Sequence, residues 1–180
     1  MGLIFKNYMK TKITLSGEVA SGKSTVGKLL AEQLGYQFIS LGNLIRKRAE
    51  NEGISIVEFQ RRCTENPETD KEIDREFADE CNKKEHLIID YRLGFKFINN
   101  AFHVFLKISE EDASERLRKS ERGDESSKTI PERNNAFKKQ FKNAYDIDYT
   151  LESHYDLVVT INNQITPQEI VDIILSEIKS

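Results

Sequence analysis

The 180-residue sequence predicts one three-layer α/β domain, a parallel sheet covered on both faces by helices. Two observations carry this. Short β-branched apolar runs alternate with longer segments whose apolar residues recur every three or four positions, and the first such run opens onto a glycine-containing loop. The length suits one well-buried core and would cramp two.

In chain order, Lys12 to Ser16 reads as the first strand, and Val26, Leu29, Leu30 and Leu34 then recur at helical spacing until Gly35. Gln37 to Ser40 is a second strand. Gly42 opens a basic helical stretch through Ala49 that ends near Gly53. Ser55 with Glu58, and Thr69 with Glu72, are spaced as capping boxes for two more helices, the second with Ile73, Phe77 and Cys81 on one apolar face.

His86 to Asp90 and Phe102 to Ile108 are the next strands, and Ser109 with Asp112 starts a helix through Lys119. Residues 120–130 are polar and aperiodic and read as a mobile loop. Pro131 suits the first turn of a helix lined by Phe137, Phe141 and Tyr145. Asp156 to Ile161 is the last strand, and Thr166 to Glu169 caps a helix carrying Ile170, Ile173, Ile174 and Ile178. Residues 1–10 read as an N-terminal extension.

Against 27 basic residues stand 30 acidic ones, a net charge of −3, so no electrostatic footprint for nucleic acid is expected. Cys63 and Cys81 fit neither a disulfide framework nor a zinc site, and a reducing cytoplasm suits them. No apolar run reaches membrane-spanning length. His86, His103 and His154 lack metal-ligand spacing and read as structural.

Gly17-Glu18-Val19-Ala20-Ser21-Gly22-Lys23-Ser24 matches G-x-x-x-x-G-K-[ST] between a strand and a helix, and so defines a P-loop. Its backbone N–H groups and the positive helix end hold phosphates, and Lys23 follows the charge that migrates during transfer. Ser24 offers a hydroxyl to Mg2+, and Thr25 follows in the same turn. Asp90 ends the third strand beside the P-loop, where it can hold a magnesium-bound water or serve as a plain strand-end cap. No Asn-Lys-x-Asp guanine signature is present.

From Ser40 onward, the segments Ser40 to Arg46, Glu65 to Asp74, Tyr145 to Asp148 and Tyr155 to Val159 resemble nucleoside monophosphate kinases, the short archaeal-type cytidylate kinases above all. The resemblance covers residues 11–180. It implies a P-loop NTPase fold with five parallel strands, a helical acceptor-binding insert at about 41–84 and a lid near 118–133. It also implies ATP as donor, Mg2+, and a nucleoside monophosphate, CMP or dCMP, as acceptor. Arg46 and Gly42 are then assigned to the acceptor, Arg92 to its phosphate, Arg116 to the donor adenine and lid, and Arg133 to the transferring phosphates. A guanidinium fork suits this work because it grips phosphate oxygens bidentately without titrating.

The chain departs from the family pattern at four places. Asn43 and Asn134 stand where acids are common, Tyr91 replaces a glycine and should narrow the acceptor pocket, and Lys138, Lys139 and Gln140 occupy the region of a further arginine. These departures keep two other functions in play: a kinase of a non-nucleotide small molecule, with Asp90 as base, and a non-catalytic nucleotide-binding module. A small-molecule acceptor, no nucleic acid, no membrane, and a monomer or weak homo-oligomer are expected.

Overall fold

The computed structural model describes residues 10–119 and 129–179. The N-terminal extension up to residue 9, and residues 120–128 of the expected mobile loop and lid, lie outside the described residues. Elements follow in the order β1 (Lys12–Gly17), α1 (Lys23–Leu34), β2 (Gln37–Ser40), α2 (Leu41–Asn51), α3 (Ile56–Glu65), α4 (Pro67–Asn82) and β3 (Leu87–Asp90). After these come α5 (Gly94–Phe97), β4 (Ala101–Ile108), α6 (Glu110–Lys119), α7 (Ile130–Tyr145), a 3-10 turn (Glu152–His154), β5 (Leu157–Ile161) and α8 (Pro167–Lys179).

The strands form one sheet in the order β2-β3-β1-β4-β5, every neighbouring pair parallel. Leu15 pairs with Asp90 and Ser40 pairs with Asp90, so the carboxyl ends of β1, β2 and β3 come out side by side. In an open parallel sheet that edge is where a ligand crevice forms, because the connections diverge there.

In the central strands the period of two divides the core. Ile13, Leu15, Ile88, Val104 and Leu106 face Val26 and Leu30 of α1 and Ile170 and Ile174 of α8. Leu87, Ile89 and Phe105 face the other way, into Phe77, Cys81, Phe141 and Tyr149. Full burial of one such apolar side chain contributes roughly 1.5–3 kcal/mol. A third cluster, Ala49, Phe59, Cys63 and Ile73, holds α2, α3 and α4 together. Both cysteines are free and buried, and burial pushes each thiol up to about 11.

Two expectations need correction, and one element was not foreseen. Helix α4 starts at Pro67 after Asn66, not at a Thr69 capping box, since a proline at the first helical positions fixes φ in advance. Ile173 is 41% exposed, so α8 buries Ile170, Val171 and Ile174 instead. The short helix α5 has too few residues to show a period and was not legible. The Ser55 and Ser109 caps are present, each hydroxyl accepting the expected N–H, from Glu58 and Asp112. Among the described residues no helix is long and apolar enough to cross a membrane.

Candidate active site

The loop leaving β1 is shaped by two glycines. A Cβ on Gly17 would meet the Leu106 carbonyl at 2.6 Å, and Gly22 takes a left-handed φ of 87° at the start of α1. Having no side chain, Gly22 offers no cap to the first turn, which leaves that end of α1 suited to an anion. Glu18 is tied outward, its Oε2 accepting the Ile108 N–H at 2.9 Å. Val19 donates its N–H to Asn134 Oδ1 of α7 at 3.0 Å, in a buried contact. Position 134 therefore serves the loop backbone, a role that the reading of a lost carboxylate missed.

Lys23 is nearly buried, with Nζ at 3.4 Å from the Gly17 carbonyl, 3.3 Å from that of Glu18 and 3.4 Å from Ser21 Oγ. Its ammonium is held down to about 7, chiefly by burial and then by the Arg92 charge, with Asp90 pulling the other way and Arg133 adding to the depression. A lysine in that condition lacks a full counter-charge, which polyphosphate would supply.

Ser24 donates its hydroxyl to Asp90 Oδ2 at 2.9 Å, and Ser40 Oγ lies 3.4 Å from the same oxygen. The described residues hold no group of three or more His, Cys, Asp or Glu side chains able to bind a metal. The Ser24–Asp90 pair nevertheless fits magnesium, which takes one or two protein oxygens and fills its octahedron with waters and phosphate oxygens.

The Arg92 guanidinium sits over the Phe137 ring of α7, its carbon 3.9 Å from the ring centre, and the Arg92 carbonyl accepts from Ser16 Oγ at 3.0 Å. Arg133 stands on α7 next to Asn134, near enough to act on Lys23. Arg116 is anchored by Asn162 and Asn163: Nη2 donates to the Asn162 carbonyl at 2.6 Å and Nε to Asn163 Oδ1 at 3.0 Å. It borders a cleft of about 190 Å3 lined by Ser21, Gly22, Thr25, Ile165 and Pro167. The structure thus groups Lys23, Ser24, Asp90, Arg92 and Arg133 at one edge of the sheet, with Arg116 and Thr25 on the outer rim and Ala20, Ser21 and Gly22 in the loop.

Gly42 and Arg46 stand on α2, whose first turn is capped by Ser40; Arg46 Nη2 donates to Asn43 Oδ1 at 2.7 Å. Tyr91 does not face the crevice. It is 2% exposed, its ring meets Phe77 edge-on at 5.2 Å, and its hydroxyl donates to Asp74 Oδ1 at 2.8 Å. The expected narrowing of an acceptor pocket is corrected accordingly: β3 ends at Asp90, and the next side chain turns into the α4 core. Sequence reasoning missed the roles of Asn134, which holds the loop backbone, and of Asp74, which takes the Tyr91 hydroxyl, because both rest on contacts distant along the chain. Of the histidines, His103 Nδ1 lies 2.8 Å from Thr14 Oγ1, His154 stacks on Phe95 at 4.4 Å, and His86 meets Tyr36 edge-on at 5.1 Å.

A P-loop, a Ser–Asp pair and converging arginines at the carboxyl edge of a parallel sheet define a P-loop NTPase fold of the kinase type. The chain belongs to the cytidylate kinase-like family, which it matches over residues 12–163. It is 34% identical over 166 residues to a cytidylate kinase of Sulfurisphaera tokodaii, covering 90% of this chain and 92% of that one. It is also 51% identical over 170 residues to an S-adenosylmethionine-dependent nucleotide dehydratase of Lacinutrix mariniflava, covering 93% of this chain. This chain spans only 36% of the dehydratase's length. Among solved structures, a shikimate kinase from Bacteroides thetaiotaomicron superposes with a TM-score of 0.67 at 20% identity, over 94% of this chain and 99% of its own.

Proposed function

We propose that the protein transfers the γ-phosphoryl group of ATP to the phosphate of a nucleoside monophosphate, CMP or dCMP, with Mg2+. The observation that carries this is the commitment of Asp90 Oδ2 to the Ser24 hydroxyl. A carboxylate so engaged suits magnesium and its waters. A kinase acting on a hydroxyl needs a base, whereas a phosphate acceptor is already an oxyanion. Family membership and the cytidylate kinase relatives support a cytidine acceptor, and the nucleotide in the dehydratase's name favours a nucleotide over a sugar acid.

Lys23 gives its ammonium to the transferring phosphoryl oxygens, and the loop N–H groups hold the β-phosphate. Ser24 and Asp90 would hold magnesium, which would supply charge neutralisation at the phosphates. Arg92 seats the acceptor phosphate with Arg46, and Arg133 balances charge as it moves. Little covalent chemistry is left to the protein, so alignment and water exclusion make up most of the rate.

Arg116 belongs to the donor side. Arg116→Ala is expected to raise the KM for ATP roughly tenfold, about 1.4 kcal/mol, while the KM for the acceptor stays within twofold; initial rates with each substrate varied in turn check this. The function itself is tested by coupled ADP release with ATP and Mg2+ against CMP, dCMP, UMP, AMP and shikimate. Turnover of CMP or dCMP ahead of the rest is expected. Preference for shikimate would indicate a hydroxyl acceptor, and ATP binding without any turnover would indicate a nucleotide-binding module.

A further inference from the structure

Arg92 Nε and the Tyr149 hydroxyl are both shut from solvent with no hydrogen-bond partner among the described residues. Buried polar groups are paired in the great majority of cases, so two orphans in one place need a reason. Both lie along one aromatic wall. The Arg92 guanidinium covers Phe137, Phe137 stacks on Phe141 at 6.0 Å, and Phe141 meets the Tyr149 ring edge-on at 5.3 Å.

Their backbones are joined as well. Ser16 Oγ donates to the Arg92 carbonyl at 3.0 Å, and the Tyr155 hydroxyl, 3.0 Å from Ser16 Oγ, donates to the Tyr149 carbonyl at 2.5 Å. Burial pushes the Tyr149 phenol up, while the Arg92 charge and a side-chain hydrogen-bonding approach of Arg92, short of full hydrogen-bond geometry, oppose the rise, so the guanidinium already stands at that oxygen. The same guanidinium acts on Lys23. One orphan offers only a donor, and the other can accept.

We propose that Tyr149 is a positioning residue for Arg92: with the acceptor phosphate seated, its hydroxyl accepts the Nε–H, and the two Nη groups are left to face the phosphate. This rests on the reading of Arg92 as the acceptor-phosphate clamp. Phe137 packs against the guanidinium, and the phenol fixes the direction in which its fork points. A bidentate grip depends on both, since a fork turned in its own plane meets only one oxygen.

Tyr149→Phe removes a buried oxygen that makes no well-formed hydrogen bond among the described residues, so its melting temperature should not fall below that of the wild type. A tenfold fall in kcat/KM for CMP is expected, with the KM for ATP unchanged. In an Arg92→Lys background, which has no Nε–H in a fork, Tyr149→Phe should cost nothing further. Wild-type kinetics in Tyr149→Phe would overturn the proposal, as would a tenfold loss that persists in the Arg92→Lys background. A lowered melting temperature with equal losses toward both substrates would mark a packing residue and overturn it too. A wild-type chain that phosphorylates no monophosphate defeats the reading beneath the proposal, and is told apart by the wild-type rate alone.

Discussion

Lys23→Ala is expected to lower kcat by about 10³-fold and to leave the fold intact. The ammonium is enclosed by the loop's own carbonyls, 3.3 and 3.4 Å away, and under the proposed function the migrating phosphoryl charge replaces those weak contacts with a full counter-charge. Removing a single preorganised donor of this kind costs about 10²–10³ in rate, and loss of a whole charge sits at the upper end. Stability should not fall. Burial and the neighbouring Arg92 both work against the charged form, so the empty site gains by losing it. Steady-state rates set beside thermal melts check both halves: the rate collapses while the melting temperature holds or rises.

The second large effect lies away from the chemistry, at Asp74. This carboxyl is 5% exposed and accepts the hydroxyls of Tyr91 at 2.8 Å and Tyr145 at 2.6 Å, bracing α4 against the segment after β3 and against α7. Burial pushes it up to about 6, only partly offset by the two phenols, and Asp70 adds to the rise. The folded state therefore holds the proton more tightly than the unfolded one. The stability this group confers is full below its ordinary 3.8 and is lost as pH rises through about 6.

That window corresponds to about 3 kcal/mol, of which about 2 kcal/mol falls between pH 4.5 and 7.5. Asp74→Asn keeps the shape and removes the titration. Denaturation of both proteins across that range should show the variant gaining on the wild type by about 2 kcal/mol as pH rises. Parallel stability curves would show that Asp74 titrates at its ordinary value.

What the sequence made legible was whatever depends on neighbours along the chain. Gly17 to Ser24 announce their loop because the turn, the anion site and the following helix are all local, and Asp90 is placed by the strand that carries it. Position 134 reads otherwise: an asparagine in place of an acid looks like a loss until Val19, 115 residues earlier in the chain, is found donating its N–H to that amide. Tyr91 shows the same limit. Its neighbours suggested a pocket wall, and only the packing of α4 decides that its ring turns toward Phe77 and Asp74. Thr69 and Glu72 have the spacing of a cap, yet Pro67 starts the helix three residues earlier than that cap would because a fixed φ outweighs one side-chain bond.

The central claim is that a phosphoryl group moves from ATP to a nucleotide phosphate between Lys23 and Arg92. The most direct measurement follows the label from [γ-32P]ATP incubated with Mg2+, CMP and the protein, with products separated by chromatography. Label appearing in CDP, and absent from it with Lys23→Ala, is the predicted result. Label found only in inorganic phosphate, or remaining in ATP while the nucleotide is bound, would contradict it.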